Sequence, residues 1–284
     1  MATEPIDLRH VGHERVIGVY LVETPDGLAL FDCGPRTCVP ALVDGLRERG
    51  VELDDVDHLL VSHIHLDHAG AAGTLARMHP GLQVHVSEVG APHLVDPSRL
   101  IVSARRLYGD DLDRLWQEPE PVPAANVHST ESRVAGLECL PAPGHASHHV
   151  CYVDGDTVYA GDATGVRILP QRSILPAAPP PDIDLEAWSR TIDRIEAQRP
   201  SALALTHFGV VHDIAEHLAR LRETLAGWAD GVRTTNADEW IAATRAELAE
   251  AEGADAAEHA QLAAPLDQSY AGLSRFWRKR AEAA

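Results

Sequence analysis

The stretch Ser62-His63-Ile64-His65-Leu66-Asp67-His68 places four metal-ligating side chains within six positions. No packing requirement asks for that density of imidazole and carboxylate. A neutral imidazole binds zinc, iron or manganese well, and a carboxylate adds a harder, anionic donor. The four side chains cannot all reach one ion from a regular element, so they must splay from a tight turn toward two centres. The preceding run His58-Leu59-Leu60-Val61 is short and apolar, which predicts a buried strand. The following Ala69-Gly70-Ala71-Ala72-Gly73, with Leu75 and Met78 behind it, begins a helix.

The same arrangement recurs downstream. A strand over 137–140 ends in Pro141-Ala142-Pro143-Gly144-His145, where a turn delivers a histidine from the lip of a sheet. Val158-Tyr159-Ala160-Gly161-Asp162 is a second apolar strand closing on Gly-Asp, and Ala202-Leu203-Ala204-Leu205-Thr206-His207 is a third closing on His. A single His or Asp at a strand end is usually a cap or turn residue. Four such strands together describe one sheet rim carrying ligands, and alternating strands and helices fit an α/β layer architecture.

In that order, His63-x-His65-x-Asp67-His68, His145, Asp162 and His207 resemble the ligand motif of the metallo-β-lactamase superfamily, and Leu30-Phe31-Asp32-Cys33-Gly34 resembles its early strand-Asp-Gly motif. The segments 17–23, 93–100, 143–149 and 206–209 look like a subgroup of archaeal and bacterial members. The resemblance spans about residues 15–215. It implies an αββα sandwich, with a catalytic domain over 1–229, a helical lid insertion over 90–124 and a C-terminal helical extension over 230–284. It also implies two divalent metal ions, zinc first, with iron or manganese accepted by the same N/O donors. His63, His65 and His145 would hold one ion, Asp67, His68 and His207 the other, and Asp162 would bridge them. A metal-activated hydroxide would then attack an acyl carbon or phosphorus, with Asp67 as the catalytic residue that orients it.

Charge restricts the substrate. The chain carries 24 basic residues against 43 acidic ones, a net −19, and the densest basic run is 275–280. A protein that neutralises nucleic-acid phosphates needs a basic surface, so a small molecule is the expected partner and nucleic acid is not. No stretch of apolar residues is long enough for a membrane span, and residues 1–13 are polar, so no membrane partner and a cytoplasmic location are expected. Cys33, Cys38, Cys139 and Cys151 are scattered, as reduced thiols would be.

Two segments stand beside the ligands as candidates for substrate binding. Residues 90–124 carry Pro92, Pro97 and a helical run through Ile101, Leu107, Tyr108, Leu112, Leu115 and Trp116; Tyr108 is a candidate contact. Residues 163–183 follow Asp162 and hold Arg167, which could clamp a carboxylate. His148 and His149 follow His145 closely; His149 is a candidate for substrate or for a hydrogen bond behind the metals. Beyond 230, Trp240, Ile241, Thr244 and Leu248 make one helical stripe and Leu262, Leu266, Tyr270, Leu273 and Trp277 another. Each stripe needs a covering surface, either the chain's own body or a second copy in a homodimer.

Several activities fit the resemblance. The leading expectation is a binuclear hydrolase of a small ester-like bond in a thioester, lactone or related acyl compound. Thioesterases of the glyoxalase II type carry a basic glutathione-binding pattern that the C-terminal helices lack. Acyl-homoserine lactonases place a tyrosine where this chain has Gly165, and the lactamases generally lack the aspartate present here as Asp162. The alternatives are a mononuclear iron persulfide dioxygenase, a small phosphodiester hydrolase and a non-catalytic metal site.

Overall fold

The computed structural model describes residues 4–283. Two six-stranded sheets lie face to face. The first contains β1 (Ile6–Asp7), β2 (Gly18–Thr24), β3 (Gly27–Phe31), β4 (His58–Leu60), β5 (Gln83–Val86) and β6 (Val127–Ser129) in sequential order. Its β1–β3 pairs are antiparallel and its β3–β6 pairs parallel. The second contains β7 (Arg133–Val134), β8 (Leu137–Pro141), β9 (Val150–Asp154), β10 (Thr157–Tyr159), β11 (Ala202–Leu205) and β12 (Gly209–Val211), antiparallel except for the β10–β11 pair.

The period of two along each strand sorts its side chains between layers. Ala29 and Phe31 point between the sheets while Leu30 points to the helices; Val150 and Tyr152 lie between the sheets while Cys151 and Val153 do not. Tyr20, Phe31, Tyr152 and Tyr159 fill the inter-sheet layer, with Tyr20–Tyr159 and Phe31–Tyr152 edge-to-face and Phe31–Tyr159 tilted. Such a buried side chain contributes roughly 1.5–3 kcal/mol. The Tyr20 hydroxyl donates between the carbonyls of Leu205 and Gly209, 2.9 Å from each, and so ties the two sheets together.

Helices cover both outer faces. α1 (Val39–Glu48), α2 (Leu66–Ala69) and α3 (Ala72–Met78) pack on the first sheet through Leu42, Leu46, Leu66 and Leu75. α4 (Ala91–Val95), α5 (Ser98–Tyr108) and α6 (Leu112–Leu115) form the crossover that lets β5 and β6 run parallel. The expected insertion is thus that connection, enlarged. α7 (Leu185–Ala197), capped by the Asp184 carboxylate accepting from Ala187 N–H, and α8 (Ile214–Thr234) pack on the second sheet through Trp188, Ile192, Leu221 and Leu225.

α9 (Ala237–Glu252), α10 (Ala254–Ala260) and α11 (Leu266–Ala283) complete the C-terminal region. Asn236 caps α9 by accepting from Glu239 N–H at 3.0 Å. Trp240, Leu266 and Leu273 are buried in the second sheet's outer core, and Ile241, Leu248, Tyr270 and Trp277 pack against it, whereas Leu262 stays 37% exposed. No described helix is long and apolar enough to cross a membrane.

Candidate metal centre

Strands β4, β8, β10 and β11 end at the same rim, and the loops that leave them carry the ligand motif. His65 precedes α2, whose first residues include Asp67 and His68. Gly144, at φ +145°, turns the chain into His145 against α7, where a Cβ would overlap the Trp188 backbone. All seven motif side chains converge in overlapping groups: His63, His65 and His145 form the first, Asp67, His68 and His207 the second, and His63, His68 and Asp162 a third that joins them.

In the first group His63 Nε2, His65 Nδ1 and His145 Nε2 lie 2.9, 3.0 and 3.1 Å from one another. Tetrahedral ligands at about 2.0–2.1 Å from zinc stand about 3.3 Å apart. The rings' outer nitrogens show which protons are already placed. His145 Nδ1 donates to Ala177 O at 2.7 Å, and His63 Nδ1 donates to Ser62 Oγ at 3.0 Å, because that hydroxyl gives its own proton to Asp32. Both neutral rings therefore present bare Nε2 lone pairs inward. One proton on His65 could serve one of the two facing lone pairs and not both. A shared cation satisfies all three.

The second group is built likewise. His68 Nδ1 donates to Asp32 Oδ2 at 2.7 Å and His207 Nδ1 to Val16 O at 2.6 Å, leaving their Nε2 atoms 3.3 Å apart. Asp67 Oδ2 stands 3.7 Å from the first of these and 3.4 Å from the second. Asp162 faces both groups: Oδ1 is 3.2 Å from His68 Nε2 and 3.5 Å from His207 Nε2, whereas Oδ2 is 3.5 Å from His145 Nε2. Oδ1 is buried without a hydrogen-bond partner. An orphaned buried carboxylate oxygen between imidazole lone pairs fits a metal ligand, so the residues present suit the two-ion arrangement.

The electrostatics agree. Burial works against charge on Asp67 and Asp162, but His68 and His207 outweigh it and hold both carboxyls below the usual range. Burial likewise lowers His68 and His207, and Asp162 and Asp67 outweigh it, so both sit above the usual value. His63 and His65 are held well below theirs, by burial and then by neighbouring histidines. Carboxylates that hold protons on neighbouring imidazoles mark a site where a divalent cation displaces those protons.

Behind the ligands stands Asp32, fully buried. Its Oδ1 accepts from Ser62 N–H, and its Oδ2 accepts from Ser62 Oγ, His68 Nδ1 and Thr206 Oγ1, at 2.7–3.0 Å. It locks β3, β4 and β11 at the rim. Sequence reading marks Asp32 as a motif residue without this role, because its partners lie 30, 36 and 174 positions away.

The centre opens into a cavity of about 540 Å³ lined by His65, Asp67, His145, Asp162 and His207. Tyr108 lines this cavity beside Trp116, their rings 5.4 Å apart. His149 does not line it: its ring stacks on His63, and its Nε2 accepts from the Asp162 backbone N–H at 3.2 Å. Arg167 does not line it either. Its guanidinium forms a two-bond pair with Asp213 at 2.8 and 3.0 Å, which supplies the carboxylate expected of a substrate. His148 and His10 do line the cavity, and His10 stacks on Trp116. No pattern in the sequence marks His10.

The sequence profile of the Metallo-beta-lactamase superfamily matches residues 15–207. The chain is 22% identical over 180 residues to the metallo-beta-lactamase fold-containing protein ST1585 of Sulfurisphaera tokodaii, a match covering 60% of this chain and 67% of that one. It is 24% identical over 163 residues to the uncharacterized protein YobT of Bacillus subtilis, covering 53% of this chain and 63% of that protein. Among solved structures, the metallo-beta-lactamase family protein TTHA1429 of Thermus thermophilus superimposes with a TM-score of 0.63 at 20% identity, over 93% of this chain and 89% of that one. With the profile match, the two facing sheets and the His/Asp centre at their rim, the chain belongs to the metallo-beta-lactamase superfamily.

Proposed function

We propose that the protein is a binuclear metal-dependent hydrolase of a small ester-like bond in a thioester, lactone or related acyl compound. The observation that carries this reading is the Asp162 carboxylate, whose two oxygens face the two ligand groups separately. A closed structural site would surround one ion with four protein ligands, whereas this donor set is shared between two positions and opens on a cavity. Zinc is the first expectation, and a donor set without thiolate also accepts iron or manganese.

Divalent ions held here would lower the pKa of water to about 7 and polarise an acyl oxygen. The chain's own residues supply the rest. The Asp67 carboxylate opens on the cavity, with 22% of its side chain exposed, and stands where it can hold the proton of the attacking water and pass it to the leaving group. His145 and His207 are fixed in one tautomer by Ala177 O and Val16 O, so they remain neutral donors through the reaction. Tyr108, Trp116 and the neighbouring apolar wall exclude bulk water from the acyl group.

The purified protein is to be assayed against lactones, acyl thioesters, aryl esters and phosphodiesters, with and without chelator. Turnover of an acyl substrate, abolished by chelator, restored by metal and reduced about 10²–10⁴-fold in Asp67→Asn, is expected. Oxygen uptake with a persulfide, or turnover of phosphodiesters alone, would overturn the assignment.

A further inference from the structure

The cavity beside the metal centre has three walls, and one of them lies outside the 15–207 segment that matches the family. Leu100, Ala104 and Leu107 of α5 form one wall and the 177–181 loop another. The third is residues 261–269, the link after α10 and the first turn of α11, which contribute Leu262, Ala263, Ala264 and Pro265. Ala263 packs against the outer cores of both sheets, so this segment spans the cavity from one side of the sandwich to the other.

Val11, Leu107 and Leu262 line the cavity from three unrelated elements and remain 41%, 37% and 37% exposed. Single exposed apolar residues are common on any surface. Three on one cavity, from elements far apart in sequence, give it apolar surface that is open to solvent. The charged lining argues the same way. Apart from the metal-facing Asp67 and Asp162, the charged lining among the described residues is Arg99 against Asp111 and Asp182. A tail bearing phosphates or several carboxylates would meet net negative charge there.

We propose that the non-reacting part of the substrate is an uncharged apolar tail, held between α5 and residues 261–269 and bounded by Leu107 and Leu262. This rests on the hydrolase reading only in placing the acyl carbon at the metals; the seat for the tail stands on the cavity alone. At about 540 Å³ the space is within the range of about 300–1,000 Å³ that holds a small ligand. The C-terminal extension is then the specificity element of this chain, supplying a wall that the matched family segment does not contain.

The test is a binding measurement, independent of turnover. Straight-chain 2-alkanones from butanone upward are titrated calorimetrically into the metal-loaded protein. The dissociation constant should fall roughly fourfold per added methylene until the cavity is full, then level off. In Leu107→Trp and Leu262→Trp, both at partly exposed positions and so compatible with folding, the levelling should come at a shorter chain. Melting temperatures near the parent's establish that the variants are folded. Affinity indifferent to chain length, or a levelling point unmoved by both substitutions, would overturn the proposal. Chain-length-dependent binding without acyl turnover would retain it while removing the hydrolase reading.

Discussion

Asp32 Oδ2 accepts a 2.7 Å hydrogen bond from His68 Nδ1, so a carboxylate that lines no cavity fixes the ring that faces the second ligand group. Asp32→Asn keeps the shape but puts an amide N–H among donors from Ser62, His68 and Thr206. Metal affinity should fall about 10–100-fold. Asp32→Ala, which leaves those buried donors unpaired, should also cost about 3–5 kcal/mol in denaturant unfolding. Metal titration and chemical denaturation check the two effects separately.

A second relay starts in the C-terminal extension. Gly272 of α11 lies against Ala178 so closely that a Cβ would overlap the Ala178 carbonyl, and Ser269 Oγ accepts from Ala178 N–H at 3.3 Å. The adjoining Ala177 O takes the proton of His145 Nδ1. Gly272→Val should therefore displace the loop and weaken metal binding at the first group, again by about 10–100-fold. Metal titration of the folded variant, verified by circular dichroism, measures this; unchanged affinity would show that the relay does not hold His145.

Arg167 gives a prediction opposite to the one its sequence position suggests. Its pair with Asp213 is away from the cavity, so Arg167→Ala should cost about 2 kcal/mol of stability. KM for the preferred acyl substrate should be unaltered. A raised KM with unchanged melting temperature would return Arg167 to the substrate.

Burial holds His10, His85 and His217 down to about 4. In the unfolded chain each takes up its proton near about 6.5. Between those values the unfolded state binds more protons, so their stabilisation is present above about pH 6.5 and lost as pH falls toward about 4. His217→Gln keeps a donor for Thr164 O, which His217 Nε2 reaches at 2.8 Å, and removes one titration. The loss of stability between about pH 7 and about pH 5 should shrink by about 2 kcal/mol. Equal losses in parent and variant, measured by urea unfolding, would refute this.

The ligand set is legible because metal chemistry concentrates unusual residues at strand ends, where short apolar runs point to them. Helix α7 is legible for a similar reason: Leu185, Trp188, Ile192 and Ile195 recur at helical spacing, and Asp184 caps the start. The two-residue strands β1 and β7 carry no periodicity to read. Arg167 escapes because its partner is 46 residues away and ion pairs leave no local pattern. Leu262 shows the remaining limit. Its stripe demands burial without naming a partner, and in the folded chain Leu262 stays partly open on the metal cavity.

Metal content per chain, measured by mass spectrometry on protein purified without added metal or chelator, tests the central claim most directly. The account predicts two divalent ions per chain in the parent and one in Asp67→Ala, because Asp67 belongs to the second group alone. A single iron per chain, retained when Asp67 is removed, would contradict the binuclear centre and point to an oxygen-dependent reaction.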